Sequence, residues 1–142
     1  MNDVPRLGDQ LCFLLHATSR AFDAAYRPVL AKLGLTYPQY LVMLVLWEQD
    51  GQTVSEIGQR LFLDSGTLTP LLKRLEAQGV VIRKRDLVDE RLVRVNLTKT
   101  GSHLRRAARS VPAALSCRLS LDPHTVQALR SGMDEIMRAL AD

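Results

Sequence analysis

A mainly helical chain with one small β-hairpin is the fold class this sequence predicts, on three observations. Apolar residues recur at three- and four-residue steps in several blocks. Those blocks start and stop at the Ser, Thr, Asp, Pro and Gly residues that cap helices. Only after Gly79 does the period shorten, to β-branched residues on either side of a charged tip. The first helix is expected over about 9–26, because Leu11, Leu14, Leu15, Thr18, Ala21, Phe22 and Ala25 fall near one face. It continues or kinks near Pro28 and ends at Gly34. Thr36 caps the next, with Pro38 in its first turn, and residues 39–48 are apolar nearly all round, as in a buried central helix. Asp50 and Gly51 break it.

Thr53-Val54-Ser55-Glu56 has the T-x-x-E form in which a hydroxyl and a carboxylate each accept from a backbone amide, so a short helix is expected to about Phe62. Asp64 or Ser65 caps the following helix, which closes at Gly79. Two short helices joined by so tight a turn make a helix-turn-helix. Val80, Ile82 and residues 92–98 then form a two-stranded hairpin around the tip Leu87-Val88-Asp89-Glu90-Arg91. Residues 101–119 return to helical spacing, interrupted by Pro112, and Asp122-Pro123 starts a last helix to about Leu140. The result is one domain over 1–142: a winged helix-turn-helix over 35–101, with a recognition helix at about 65–78 and a wing at about 80–98. Terminal helices over 1–34 and 102–142 flank it. They carry Ala113, Leu115, Leu119, Leu129, Ile136, Met137 and Leu140, too much apolar surface to leave in water, and are assigned to a dimer interface.

Length and composition narrow the function. At 142 residues there is no room for a separate catalytic domain. With 46% apolar and 24% charged residues the chain matches a folded globular protein rather than a disordered one. The longest apolar run, 41–47, is far short of a membrane span, and no secretory leader precedes it, so a cytoplasmic location is expected. Two cysteines 105 positions apart fit neither a disulfide scaffold nor a metal knuckle. No metal or organic cofactor is expected. The net charge of +4 is unevenly spread: residues 73–109 hold eleven Lys/Arg against four acids, and the remainder is slightly acidic. A basic middle in an acidic chain is the footprint of a face that neutralises phosphates.

That charge surrounds a unit able to read DNA. The residues of a recognition helix that reach base edges lie at its N-terminal end, here Ser65, Gly66, Thr67, Thr69 and Pro70. Hydroxyls exchange hydrogen bonds with any base edge, while Lys73 and Arg74 one turn later suit phosphate or guanine. In the hairpin, Arg85, Arg91 and Arg94, beside Arg83 and Lys84, surround a tip narrow enough for a minor groove. Asp89, two residues before Arg91, is placed to hold that guanidinium in a bidentate pair. Cys12 falls in the first turn of its helix, where the dipole favours a thiolate, and His16 follows one turn later. On the residues alone, a cysteine on an apolar helix is more often an inert packing residue.

Asp89-Glu90-Arg91 followed by Leu97-Thr98-Lys99-Thr100-Gly101 resembles the D-x-R…L-T-x-x-G wing signature of the MarR family of winged-helix transcriptional regulators. The stretches Gln10-Leu11-Cys12-Phe13-Leu14-Leu15, Thr36-Tyr37-Pro38-Gln39-Tyr40, Leu46-Trp47-Glu48 and Leu63-Asp64-Ser65-Gly66-Thr67-Leu68-Thr69-Pro70-Leu71-Leu72 are similar to its organic-hydroperoxide-sensing branch, the OhrR repressors. The resemblance covers about residues 10–101; beyond them it rests on Cys117 and the helix pattern. It implies a redox-sensing Cys12 whose thiolate accepts hydrogen bonds from Tyr26 and Tyr37, and the two-cysteine subtype, in which Cys117 of the partner subunit forms a disulfide with oxidised Cys12. It also implies a homodimer on pseudo-palindromic duplex operator DNA, with an organic hydroperoxide as oxidant and no enzymatic turnover. Two other classes fit the residues less well. A regulator released by a small aromatic ligand would not use the thiols. A thiol peroxidase would have no need of a basic groove-reading unit.

Overall fold

A computed structural model describes residues 4–141. The chain forms two compact units, one up to Val111 and the other from Pro112. In the first, a single 3-10 turn at Leu7–Asp9 leads into helix α1 (Leu11–Ala31). This helix continues unbroken past Pro28 and buries only Leu30 of its 21 residues. Gly34, at a φ of 68°, turns the chain toward α2 (Tyr37–Glu48). Thr36 caps α2 with a complete capping box: its hydroxyl accepts from the Gln39 amide, and the Gln39 side chain accepts from the Thr36 amide. Val42, Met43 and Leu46 of α2 are essentially fully buried. Around them close Leu30, Ile57, Leu68, Leu72, Leu75, Val81, Val95 and Val111. The uniform apolarity of α2 is therefore explained by its central place in the core.

The T-x-x-E signal is realised as α3 (Val54–Leu61), with Glu56 accepting from the Thr53 amide at 2.7 Å and the Thr53 hydroxyl accepting from the Glu56 amide at 3.2 Å. Phe62 ends it in the left-handed region, φ 54°. Asp64 is the cap of α4 (Ser65–Ala77), which settles the choice between Asp64 and Ser65. Gly79, at a φ of 72°, leads into β2 (Val81–Arg85), which pairs antiparallel with β3 (Val93–Leu97), Val81 opposite Leu97 and Arg85 opposite Val93. The expected hairpin is in fact the larger part of a three-stranded sheet. A two-residue strand β1 (Gln52–Thr53) pairs with the other edge of β3, giving the order β1-β3-β2. Thr53 thus serves both as strand and as helix cap.

Helix α5 (Lys99–Ala108) is capped by Thr98 and starts two residues before the expected position. Trp47 of α2 donates its indole Nε1–H to the carbonyl of Gly101 at 2.9 Å. A side chain at Gly101 would lie 2.0 Å from the Val80 carbonyl oxygen, so only glycine lets α5 pack against the start of β2. The helical spacing over 101–119 covers two helices, broken at Arg109 and Ser110. Pro112 sits at the second position of α6 (Val111–Leu119), where its missing N–H costs nothing. In the second unit, Ser120 has a left-handed φ of 47°, and Asp122 and Pro123 start α7 (Pro123–Ala139), the Asp122 carboxylate accepting from the Thr125 amide at 3.0 Å. Val126, Leu129, Met133, Met137 and Leu140 are all exposed. Their helical spacing gathers them into one stripe. No helix among the described residues is long and apolar enough to cross a membrane.

Candidate nucleic-acid interface and thiol site

Helix α4 presents its N-terminal end outward. Ser65, Gly66, Thr67, Pro70, Lys73 and Arg74 are exposed and Thr69 is half-buried. The Asp64 carboxylate accepts from the Thr67 amide at 2.7 Å and from its hydroxyl at 3.2 Å, and the amide bond is the larger cause that holds Asp64 below the usual carboxylate range. With Asp64 as cap, neither Ser65 nor Thr69 is spent on one. Pro70 removes the donor for the Gly66 carbonyl, which leaves that oxygen to partners outside the helix. Among the described residues Lys73, Arg74 and Lys84 carry no ion pair.

The wing is braced at its turn by one carboxylate. Asp86 Oδ1 accepts from the amides of Val88 at 2.8 Å and Asp89 at 2.9 Å, while Oδ2 is paired with Arg94 Nε. The Asp89 amide, then Arg94, then the Val88 amide hold this carboxyl down at about 2. Arg94 reaches further, donating from Nη1 to the Gly51 carbonyl at 2.8 Å. Of the wing arginines named from the sequence, Arg94 is thus a brace between wing and β1, only partly exposed. Arg91 forms the expected bidentate pair with Asp89, both bonds 2.9 Å, and its side chain is 89% exposed. Arg85 is exposed and donates to the Glu90 carbonyl at 2.8 Å. Arg83 turns away to Glu76 of α4, donating from Nε and Nη2 to the one oxygen Oε2, which ties α4 to the sheet. An open groove between α3, α4 and the wing is lined by Ser55, Gln59, Thr69, Arg83 and Arg91, with the exposed ring of Phe62 at its edge. Asp86 and Gly51, which fix the wing, are the residues sequence reasoning missed. Asp86 lies close to the tip, but only the folded turn shows which amides it accepts from.

Both cysteines are exposed free thiols, Cys12 at the second position of α1 and Cys117 in α6. No side chain caps the start of α1, so its first amides are left to other acceptors. Tyr26 and Tyr37 stack with ring centroids 4.5 Å apart, and Tyr40 closes the cluster at 6.2 and 6.4 Å. Burial raises all three phenols, Tyr37 and Tyr40 further through their neighbours, so each stays a protonated donor at neutral pH. Cys12 and Tyr26 are fourteen residues apart on one helix, about 21 Å along its axis. That is well beyond a tyrosine's reach, so within one chain Tyr26 and Cys12 do not meet.

The profile of the family described as transcriptional regulator SarA/Rot matches residues 24–107, which span the tyrosine cluster, α4 and the wing. The chain belongs to the MarR/SarA-type winged-helix regulators. Several members of that group are similar along nearly the whole regulator. The organic hydroperoxide resistance transcriptional regulator of Bacillus subtilis (strain 168) is 44% identical, over 97% of this chain and 94% of its own length. The HTH-type transcriptional regulator TtmR of Methylorubrum extorquens (strain PA1) is 51% identical over 99% of this chain and 67% of its own. AbfR of Staphylococcus epidermidis has been solved reduced and bound to DNA, and that structure aligns with a TM-score of 0.81 at 38% identity, covering 96% of both chains. Its disulfide-formed state aligns with a TM-score of 0.66 at 41% identity, covering 93% of both. This regulator is thus similar to one whose oxidised form contains a disulfide.

Proposed function

We propose that this regulator is a homodimeric repressor of duplex operator DNA that an organic hydroperoxide switches off through Cys12. It acts in the cytoplasm, where thiols rest reduced, and as a sensor consumed stoichiometrically rather than as an enzyme. The observation that carries the reading is the exposure of two free thiols, one in the uncapped first turn of α1, on the same chain as an outward-facing reading helix. The Cys12 thiolate attacks the terminal peroxide oxygen, the O–O bond breaks, an alcohol leaves and sulfenic acid remains. The thiol of Cys117 of the partner subunit then attacks that sulfur, expelling water and forming the disulfide. Tyr26 and Tyr37, out of reach of their own Cys12, are donors for Cys12 of the partner subunit. Ser65, Gly66, Thr67, Thr69 and Pro70 read the major groove, Lys73, Arg74 and Arg85 hold phosphates, and Arg91, steadied by Asp89, enters the minor groove. A two-fold dimer places two such units on a pseudo-palindromic site. A disulfide requires Cα atoms within about 7 Å; if Cys12 and Cys117 of the partner subunit lie further apart when reduced, its closure moves helices and misplaces those contacts.

The test is binding of reduced and peroxide-treated protein to its own upstream DNA at fixed salt. Wild type is expected to lose binding on oxidation and regain it with dithiothreitol, while Cys12→Ser binds throughout. Cys117→Ser is expected to be oxidised at Cys12 yet show no cross-linked dimer on a non-reducing gel. Binding that ignores the oxidant in the wild type would overturn the thiol switch and leave the reading unit standing.

A further inference from the structure

From the wing tip we infer that Leu87 and Val88 form an apolar wedge that enters the DNA minor groove and partly unstacks a base step there, an inference that rests on the operator-binding reading above. The two side chains are 101% and 96% exposed, adjacent in sequence, and lie outside the terminal helices whose exposed apolar residues are assigned to the dimer. A single exposed leucine is unremarkable on a protein surface. Two on a turn whose backbone is fixed are another matter. The Asp86 amide donates to the Leu92 carbonyl at 2.9 Å and the Leu92 amide to the Asp89 carbonyl at 2.9 Å. The Asp86 carboxylate takes the amides of Val88 and Asp89, and Arg94 ties that carboxylate to the Gly51 carbonyl. The turn cannot fold its apolar side chains back onto the sheet without giving up those bonds.

What surrounds the knob names its partner. Lys84, Arg85 and Arg91 are exposed beside it, so the tip is apolar at its point and cationic at its flanks. A minor groove about 6 Å wide, walled by phosphates and floored by stacked bases, is the complement of that arrangement. Apolar side chains that enter it separate a base step and bend the duplex. An anionic lipid surface offers the same two chemistries. However, Arg94 and the Arg83–Glu76 pair fix the wing to β1 and to α4, so the tip approaches whatever the reading helix approaches. The flexible pyrimidine–purine steps TA and CA/TG, which separate at least cost, are the expected sites.

The test uses the full-length reduced protein and a duplex spanning its footprint on its own upstream DNA, with 2-aminopurine at the steps flanking each half-site. Wild type is expected to raise the 2-aminopurine fluorescence on binding. The double variant Leu87→Ser, Val88→Ser, altered only at exposed positions, is expected to bind about tenfold more weakly with no fluorescence rise and an unchanged salt slope. Arg85→Ala, which removes a phosphate contact, is expected to lower that slope by about one. A double variant equal to wild type in affinity and fluorescence overturns the wedge alone, whereas a wild type that binds no duplex overturns the repressor reading with it. Capture by phosphatidylglycerol vesicles that depends on Leu87 and Val88, with DNA binding unaffected, would overturn the wedge in favour of a lipid surface.

Discussion

Asp86 gathers two backbone amides and one guanidinium on a single carboxylate, and its titration follows from them. Its pKa falls from 3.8 to about 2 on folding. The bonds therefore contribute in full above the unfolded value and are lost as the pH falls through the folded one. The urea midpoint of the wild type is expected to drop between pH 4 and pH 2 by more than that of Asp86→Asn, and equal slopes would show that the brace does not stabilise the fold. Trp47→Phe removes the indole donor from the buried Gly101 carbonyl and is expected to cost about 1–3 kcal/mol in urea denaturation; an unmoved midpoint would contradict that. At this scale the sequence was legible where partners are close along the chain. Asp89 and Arg91, two residues apart, were paired from spacing alone. Gly51 and Arg94, 43 residues apart, were not, because nothing local to either predicts a contact that only the β1–β3 register creates.

Helices announced themselves through caps, and strands did so only when long. The capping boxes at Thr36 and Thr53 and the Asp-Pro start of α7 each settle their own amides locally, so the signal survives without tertiary context. Strand β1, two polar residues paired with β3, carries no such signature. The break between α5 and α6 was displaced toward Pro112 for a related reason: proline is equally at home just inside a helix start, and there it marks a beginning. The angle between α3 and α4 depends on Gly58, where a Cβ would lie 2.7 Å from the Leu63 carbonyl oxygen. Gly58→Ala is expected to destabilise by about 1–3 kcal/mol and to weaken DNA binding beyond that loss, since it reorients the reading helix. Thermal denaturation beside operator titration separates the two effects, and a variant that melts early but binds normally would free the angle from this contact.

Across the whole molecule the least satisfied surfaces are the ends of the chain. Helix α1 buries one of 21 residues, leaving Leu11, Phe13 and Leu14 exposed, and α7 exposes a full apolar stripe. Light scattering is expected to report a dimer of reduced protein, and charged substitutions at Met133 and Met137 are expected to shift it toward monomer; a monomeric wild type would remove the partner-subunit chemistry altogether. Of the apolar residues that the sequence assigned to this surface, Leu119, Leu129, Met137 and Leu140 are exposed while Leu115 is buried; the family resemblance supplied Tyr26, Tyr37 and Cys117, whose proposed roles depend on a second chain and so leave no mark in one. The solitary burial of Leu30 in α1 has a bearing on dosage. If folded α1 exists only against a second copy, the DNA-competent species grows as the square of chain concentration while protein is scarce. A twofold change in synthesis then becomes a fourfold change in occupied operator, and a cell that dilutes this regulator loses repression faster than it loses protein, with no oxidant present.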